Sequence, residues 1–281
     1  MDNVQVYNLP KFDGYHERAQ PPVLRDHIKE IEKFSRKCHS EVVVKLLRLF
    51  AIILELPDED QLVKDHEYDV KGEDHLRYMH YAARSTELNA QVGELYSPGH
   101  TDLGSITLLF RQPVAALQIL NSEQQWKWVK PQDETITINI CDALQALTGN
   151  FLKSSIHRVH TPPDDQAHID RLGVLFFARY VDIADTTSRF SFHTCLLTFS
   201  LRPNNHVVLD PISNSPLLNR LGLKDNDLTK LGQHLTMEQW VKARQSQQQR
   251  RTKAPKIDGQ KYQYGDKEME IIPGLLAKVH N

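Results

Sequence analysis

The feature that most limits how this chain can fold is a run of short apolar segments between residues 76 and 178, cut repeatedly by turn clusters. Leu76–Ala82, Ser105–Arg111, Val114–Leu120, Trp126–Lys130, Glu134–Ile140, Ser154–Val159 and Arg171–Ala178 each have the length and the aliphatic, aromatic or β-branched content of a strand. Polar pieces such as Asn121-Ser122-Glu123 and Pro162-Pro163-Asp164-Asp165 separate them. Many short strands with frequent turns fold as a sandwich or a barrel. A jelly roll suits this chain best, because that topology brings strands distant in sequence to one mouth. Glu94–Gly99 reads as a turn leading into His100.

The flanks have another character. Residues 1–22 read as loop, broken by Tyr7-Asn8-Leu9-Pro10 and Pro21-Pro22. From Val23 to Leu56 the pattern is helical: Ile28, Ile31 and Phe34 recur at helical spacing, and Val42–Leu56 offers a broad apolar face. That stretch contains Lys45 and Arg48 and falls short of the roughly 20 residues a membrane helix needs. It is expected to pack against a sheet. Pro57-Asp58 ends it, and Asp58 is placed to cap a short helix reaching Lys64. Toward the other end, Val207–Leu209 reads as a short strand, Thr236 to Arg250 as a helix and Tyr262–Ile272 as one more strand. The expected architecture is mainly β with flanking helices: a helical N-terminal span 1–75, a jelly-roll (double-stranded β-helix) core 76–210 and a C-terminal helical extension 211–281.

Global chemistry excludes some partners. The formal net charge is -2, and 40% of residues are hydrophobic against 25% charged. This is ordinary globular composition with nothing that favours nucleic acid or an anionic membrane. The basic run Gln245–Lys256 is read as a solvated helix end. Cys38, Cys141 and Cys195 are odd in number and lack metal-type spacing, which fits a reducing compartment. The leading residues show no basic stretch followed by an apolar core, so a cytoplasmic location is expected. A monomer is the expected state.

The residues that carry chemistry sit inside the β run. His100 and Asp102 form a His-x-Asp pair, and in a strand positions i and i+2 share a face. His157 lies on a later segment that can fold back beside them. Two imidazoles and one carboxylate are the donor set of a non-haem Fe(II) site with open coordination positions. Such a pair also arises by chance in a chain with 14 histidines, and on these residues alone a surface role outweighs a metal one. A hydrolytic Zn site remains open at this point.

Context changes that balance. The run Gly99-His100-Thr101-Asp102-Leu103-Gly104-Ser105-Ile106-Thr107-Leu108-Leu109-Phe110 is followed by Ala116-Leu117-Gln118-Ile119-Leu120, Trp126-Lys127-Trp128-Val129 and Ile138-Asn139-Ile140-Cys141-Asp142-Ala143-Leu144-Gln145. It closes with Thr148-Gly149-Asn150-Phe151-Leu152-Lys153-Ser154-Ser155-Ile156-His157-Arg158-Val159. In order and spacing this resembles the isopenicillin-N-synthase-like family of Fe(II)/2-oxoglutarate-dependent oxygenases, and within it the fungal oxidoreductases. The resemblance spans about 76–178 and is weaker on either side. It implies His100, Asp102 and His157 as iron ligands and Arg171 as the arginine that binds the distal carboxylate of 2-oxoglutarate. Leu76-Arg77-Tyr78-Met79-His80-Tyr81 resembles the family's Leu-Arg-x-Asn-x-Tyr segment, which places Tyr81 beside the cosubstrate; a core tyrosine is its bland reading. The implied activity is oxidation of a small organic molecule by hydroxylation, desaturation or cyclisation, with O2 as oxidant, ascorbate as a candidate accessory reductant and specialised metabolism as the setting.

The chain departs from the family pattern in four places. Met79 stands where the family has asparagine, and Arg171-Leu172-Gly173 lacks the serine of the family's Arg-x-Ser. Met1 corresponds to a point inside the family's N-terminal region. Residues 180–202 intervene where the family runs on directly, as a translated intron or a surface loop. The short N-terminal region and the intervening residues 180–202 support an alternative reading, an inactive or purely binding protein that retains the fold. Asp142 and Asn150 are expected to satisfy turn backbone, Trp126 and Trp128 to pack or lie on a strand surface, and Lys153 to be exposed.

Overall fold

The computed structural model describes residues 4–14, 18–70, 74–178 and 206–243 and three strands near the C-terminus. The 180–202 insertion and the basic 245–256 run lie outside the described residues.

Nine strands form two antiparallel sheets. They are β1 (Val4–Pro10), β2 (Asp74–Tyr81), β3 (Leu95–His100), β4 (Ile106–Phe110), β5 (Leu117–Leu120), β6 (Trp126–Trp128), β7 (Ile136–Ile140), β8 (His157–His160) and β9 (Arg171–Ala178). One sheet has the order β1-β2-β9-β4-β7 and the other β3-β8-β5-β6. Apart from the β5–β6 hairpin, neighbours in each sheet are distant in sequence, as a jelly roll requires. Each of the seven segments read as strands overlaps one of these strands, although β2 begins two residues before the expected Leu76–Ala82 and β8 runs one residue past the expected Ser154–Val159. Between the sheets, the Tyr81 ring of β2 stacks on Tyr96 of β3 with centroids 5.8 Å apart, and Ala116 and Val159 close the same cluster.

The other face of the larger sheet carries the main core. Leu9, Leu76, Leu108 and Phe176 project from it onto Val43, Leu47, Ala51 and Leu54 of the helical layer. That layer consists of Ile28–Lys37, a π-helical turn Cys38–Val43 and Val44–Ile53, in line with the helical expectation for Val23–Leu56. The Ser215 hydroxyl caps the short helix Pro216–Arg220 and donates to the Leu54 carbonyl, tying the C-terminal part to the helical layer. A second cluster, with Met237, Trp240 and Val241 against Ala143, Leu147 and Leu209, seats the helix over 237–243. That helix starts with a reciprocal cap: Thr236 Oγ1 accepts from Gln239 N, and Gln239 Oε1 accepts from Thr236 N.

Several local expectations are corrected. Residues 4–10 are not loop but β1, paired with β2 throughout from Val4↔Tyr81 to Pro10↔His75. Glu94–Gly99 is not a turn; Leu95–His100 is a strand with register shifts against β8. Both are edge strands, where a proline without an N–H and a bulge are tolerated, so their turn-like residues mislead. Asp58 does not cap Gln61–Lys64; its carboxylate accepts from Asp60 N ahead of that helix. Val207–Leu209 forms only a single bridge, Val208↔Thr236. The C-terminal span holds three strands, β10 (Lys261–Tyr264), β11 (Lys267–Ile272) and β12 (Leu275–Lys278), in place of one. Among the described residues no helix is long and apolar enough to cross a membrane.

Candidate metal centre

The pairing of β3 with β8 sets His100 opposite His157 as Cα partners. Their rings lie 4.3 Å apart between centroids, tilted by 59°. Each Nδ1–H donates to a backbone carbonyl two residues earlier, His100 to Pro98 at 2.8 Å and His157 to Ser155 at 3.1 Å. With Nδ1 protonated, the Nε2 lone pairs are left to face one another. Asp102 Oδ1 lies 3.9 Å from His100 Nε2 and 3.8 Å from His157 Nε2. One donor atom from each residue therefore falls within 4.8 Å of the others.

Asp102 reaches this position by a route the alternation argument missed. It is not on the strand: β3 ends at His100, and Asp102 sits in the following loop. The loop is pinned where the Asp102 carbonyl accepts from Asp142 N at 2.9 Å and Thr101 Oγ1 donates to Asp142 Oδ2 at 3.0 Å. Asp142, expected to satisfy a turn, instead opens the helix Asp142–Leu147 and holds this loop. The Asp102 residue is 1% exposed. Its Oδ2 accepts from Thr107 Oγ1 and Asn139 Nδ2, each at 2.8 Å. Thr107 and Asn139 are themselves cross-strand partners on β4 and β7. Sequence reading passed over both; the available signal was the lone polar residue of β4 and, in β7, an asparagine among β-branched neighbours.

The electrostatics suit a cation. Burial, and then the charge of His157, pushes His100 down to about 4, so it is neutral at pH 7. Burial opposes ionisation of Asp102, but His157, His100 and the two hydrogen bonds outweigh it and hold the carboxyl below its usual range. His100 Nε2 and Asp102 Oδ1 are buried without a hydrogen-bond partner. Buried polar atoms are normally satisfied, and two left facing each other beside a second imidazole fit a metal ion. Two imidazoles and one carboxylate are the donors of a non-haem Fe(II) centre.

Arg171 opens β9 and pairs with Tyr81 of β2. It is 4% exposed, its guanidinium carbon lies 5.3 Å from the centre of the Tyr81 ring, and its Nε has no partner. Among the described residues no carboxylate lies within ion-pair distance of it. Burial pushes the Tyr81 hydroxyl up, against the opposing pull of Arg171. That hydroxyl points to Met79 Sδ at 3.6 Å. The structure thus gathers the three expected metal ligands in one group, and Arg171 and Tyr81 in another. Trp126 is half-buried under the Arg158 guanidinium, Trp128 is exposed, and Lys153 is exposed.

Comparison with known proteins agrees with this geometry. The pattern of the 2OG-Fe(II) oxygenase superfamily matches residues 73–179. The 2-oxoglutarate-dependent dioxygenase iboH of Amanita muscaria is 32% identical over 162 residues, 57% of this chain and 75% of that protein. A 2-oxoglutarate-dependent dioxygenase of Gibberella zeae is 29% identical over 182 residues, 64% of this chain and 53% of that protein. The match spans about half the length of most of these curated relatives. Among solved structures, a full-length Neurospora crassa protein in complex with alpha-KG and thymine superposes with a TM-score of 0.66 at 20% identity, over 88% of this chain and 66% of that one. A 2OG-Fe(II) oxygenase family protein of Caulobacter crescentus gives 0.62 at 20% identity, over 88% and 70%. Sequence kinship and shared jelly-roll core together place this chain in the 2OG-Fe(II) oxygenase superfamily.

Proposed function

We propose that this chain is an Fe(II)- and 2-oxoglutarate-dependent oxygenase that oxidises a small organic molecule, with fungal specialised metabolism as the setting its resemblance implies. The observation that carries the reading is the convergence of donor atoms from His100, Asp102 and His157, two of them buried with no hydrogen-bond partner. These three side chains would hold the iron. The bound metal and cosubstrate supply the oxidising chemistry, coupled to conversion of 2-oxoglutarate to succinate and carbon dioxide. The protein's part is positional. The Pro98 and Ser155 carbonyls fix the tautomers, and Thr107 and Asn139 fix the carboxylate. Arg171, buried and without a carboxylate partner among the described residues, is the anchor for the distal carboxylate of 2-oxoglutarate, because a guanidinium fork matches a carboxylate in shape and charge. Tyr81 forms the adjoining wall.

A second reading, a binding protein that retains the fold without turnover, draws support from Met79 and Gly173 at the cosubstrate end. One experiment separates the two. Anaerobic addition of Fe(II) and 2-oxoglutarate should produce a weak visible charge-transfer band, and admitting oxygen should release succinate. His100→Ala should abolish both. A band without succinate, even when candidate substrates are supplied, favours the binding protein; no band at all removes the oxygenase reading.

A further inference from the structure

Building on the oxygenase reading proposed above, we infer that Met79 is a self-modification site, whose thioether is oxidised to the sulfoxide when 2-oxoglutarate is consumed with no substrate bound. Arg77, Met79 and Tyr81 alternate along β2 and so share one face. That face is the inner one: Met79 packs with Tyr81 of the larger sheet and with Tyr96 and Val159 of the smaller one. Val159 lies two residues beyond His157 on β8. The residues flanking Met79 mark the two ends of the expected cosubstrate span. On one side, burial and the His157 charge do most to push His100 down and the Arg77 charge adds to them, so that guanidinium lies within electrostatic reach of the candidate centre. On the other, Tyr81 has the Arg171 guanidinium 5.3 Å from its ring centre. Met79 thus stands between the metal ligands and the carboxylate anchor.

The sulfur is both reachable and reactive. Met79 is half-buried, whereas Arg77 is 1% and Tyr81 3% exposed. A thioether is soft, polarisable and readily oxidised, unlike the asparagine that the family carries at this position. The Tyr81 hydroxyl lies 3.6 Å from Met79 Sδ. A thioether is a weak acceptor for that hydroxyl, and oxidation makes the side chain polar, so a donor for the sulfoxide oxygen is already in place. The balance closes without a further reagent. O2 accepts four electrons, two from the Met79 sulfur and two from 2-oxoglutarate. One oxygen atom ends on Met79 Sδ and the other in the new carboxylate of succinate, while the C1 carboxylate leaves as carbon dioxide. No proton is taken up or released.

The test uses the full chain with Fe(II), 2-oxoglutarate and oxygen-18 gas, with catalase present and no organic substrate added. Succinate and peptide masses are read from the same sample. The peptide containing Met79 should gain about 18 Da, against about 16 Da in ordinary oxygen. Met1, Met237 and Met269 are internal controls and should stay near background. The gain at Met79 should disappear when 2-oxoglutarate is left out, and in His100→Ala. In Met79→Leu, which is close in size, the label should vanish rather than move to another methionine. Succinate without label at Met79 overturns the inference alone. So does label that survives omission of 2-oxoglutarate, or that spreads evenly over the four methionines, since both mark a diffusible oxidant. Neither succinate nor label, with the charge-transfer band present, also overturns it alone; no band at all removes the functional reading beneath it as well.

Discussion

Asp102 is the residue on which the candidate centre turns. It offers one oxygen to the group while the other is taken by Thr107 and Asn139. A carboxylate clamped in this way stays ionised and keeps a single orientation, which a flexible aspartate in a loop would not do. Partners behind a metal ligand typically change affinity by roughly 10–100-fold when removed. Asn139→Ala should therefore weaken Mn(II) binding within that range while leaving the fold intact, since Asn139 is only half-buried and lies outside the hydrophobic core. Titration followed by electron paramagnetic resonance reads the free ion directly. An affinity equal to the parent's would show that Thr107 alone orients Asp102.

At the level of elements, β1 shows how much stability comes from a segment with a weak signature. Its seven residues pair fully with β2, and Leu9 is 1% exposed within the main core. Leu9→Ala should cost about 2–5 kcal/mol, the range for deleting a buried leucine side chain. Val23→Ala, at a position 72% exposed, should stay within about 0.5 kcal/mol. Urea denaturation measures both; similar midpoints would mean that β1 is not part of the cooperative core. The contrast between β1 and the central run explains what was legible beforehand. Strands such as β4 and β9 were visible because each is a sustained apolar run bounded by turn residues. The strand β1 was not, because Asn8 and Pro10 are acceptable only on an edge, and edge position is a property of the sheet. The same reasoning applies to Pro98-Gly99 in β3. His100, Asp102, His157 and Arg171 were legible as residue types at a recognisable spacing. Thr107 and Asn139 were not, since their roles depend on which strand lies beside which.

For the molecule as a whole, the candidate centre sits where the two sheets meet. His100 and His157 belong to the smaller sheet, while Asp102 is held by Thr107 and Asn139 of the larger one. A metal bound to all three side chains would therefore link one sheet to the other, and binding should register as global stability. A ligand that binds only the folded state stabilises by RT ln(1 + [L]/Kd), about 2.7 kcal/mol at a hundredfold excess over Kd. Adding Mn(II) to chelator-treated protein should thus raise the melting temperature by several degrees, with the gain growing as the logarithm of metal concentration. Because burial pushes His100 down to about 4, its imidazole is neutral at pH 7 and no proton competes there. As the pH falls toward that value, protonation competes with metal and the gain should shrink. His100→Ala should show almost none of it at any pH. A shift that survives His100→Ala, or that persists undiminished near pH 4, would place the stabilising ion elsewhere on the protein and detach the His100, Asp102 and His157 group from the stability of the fold.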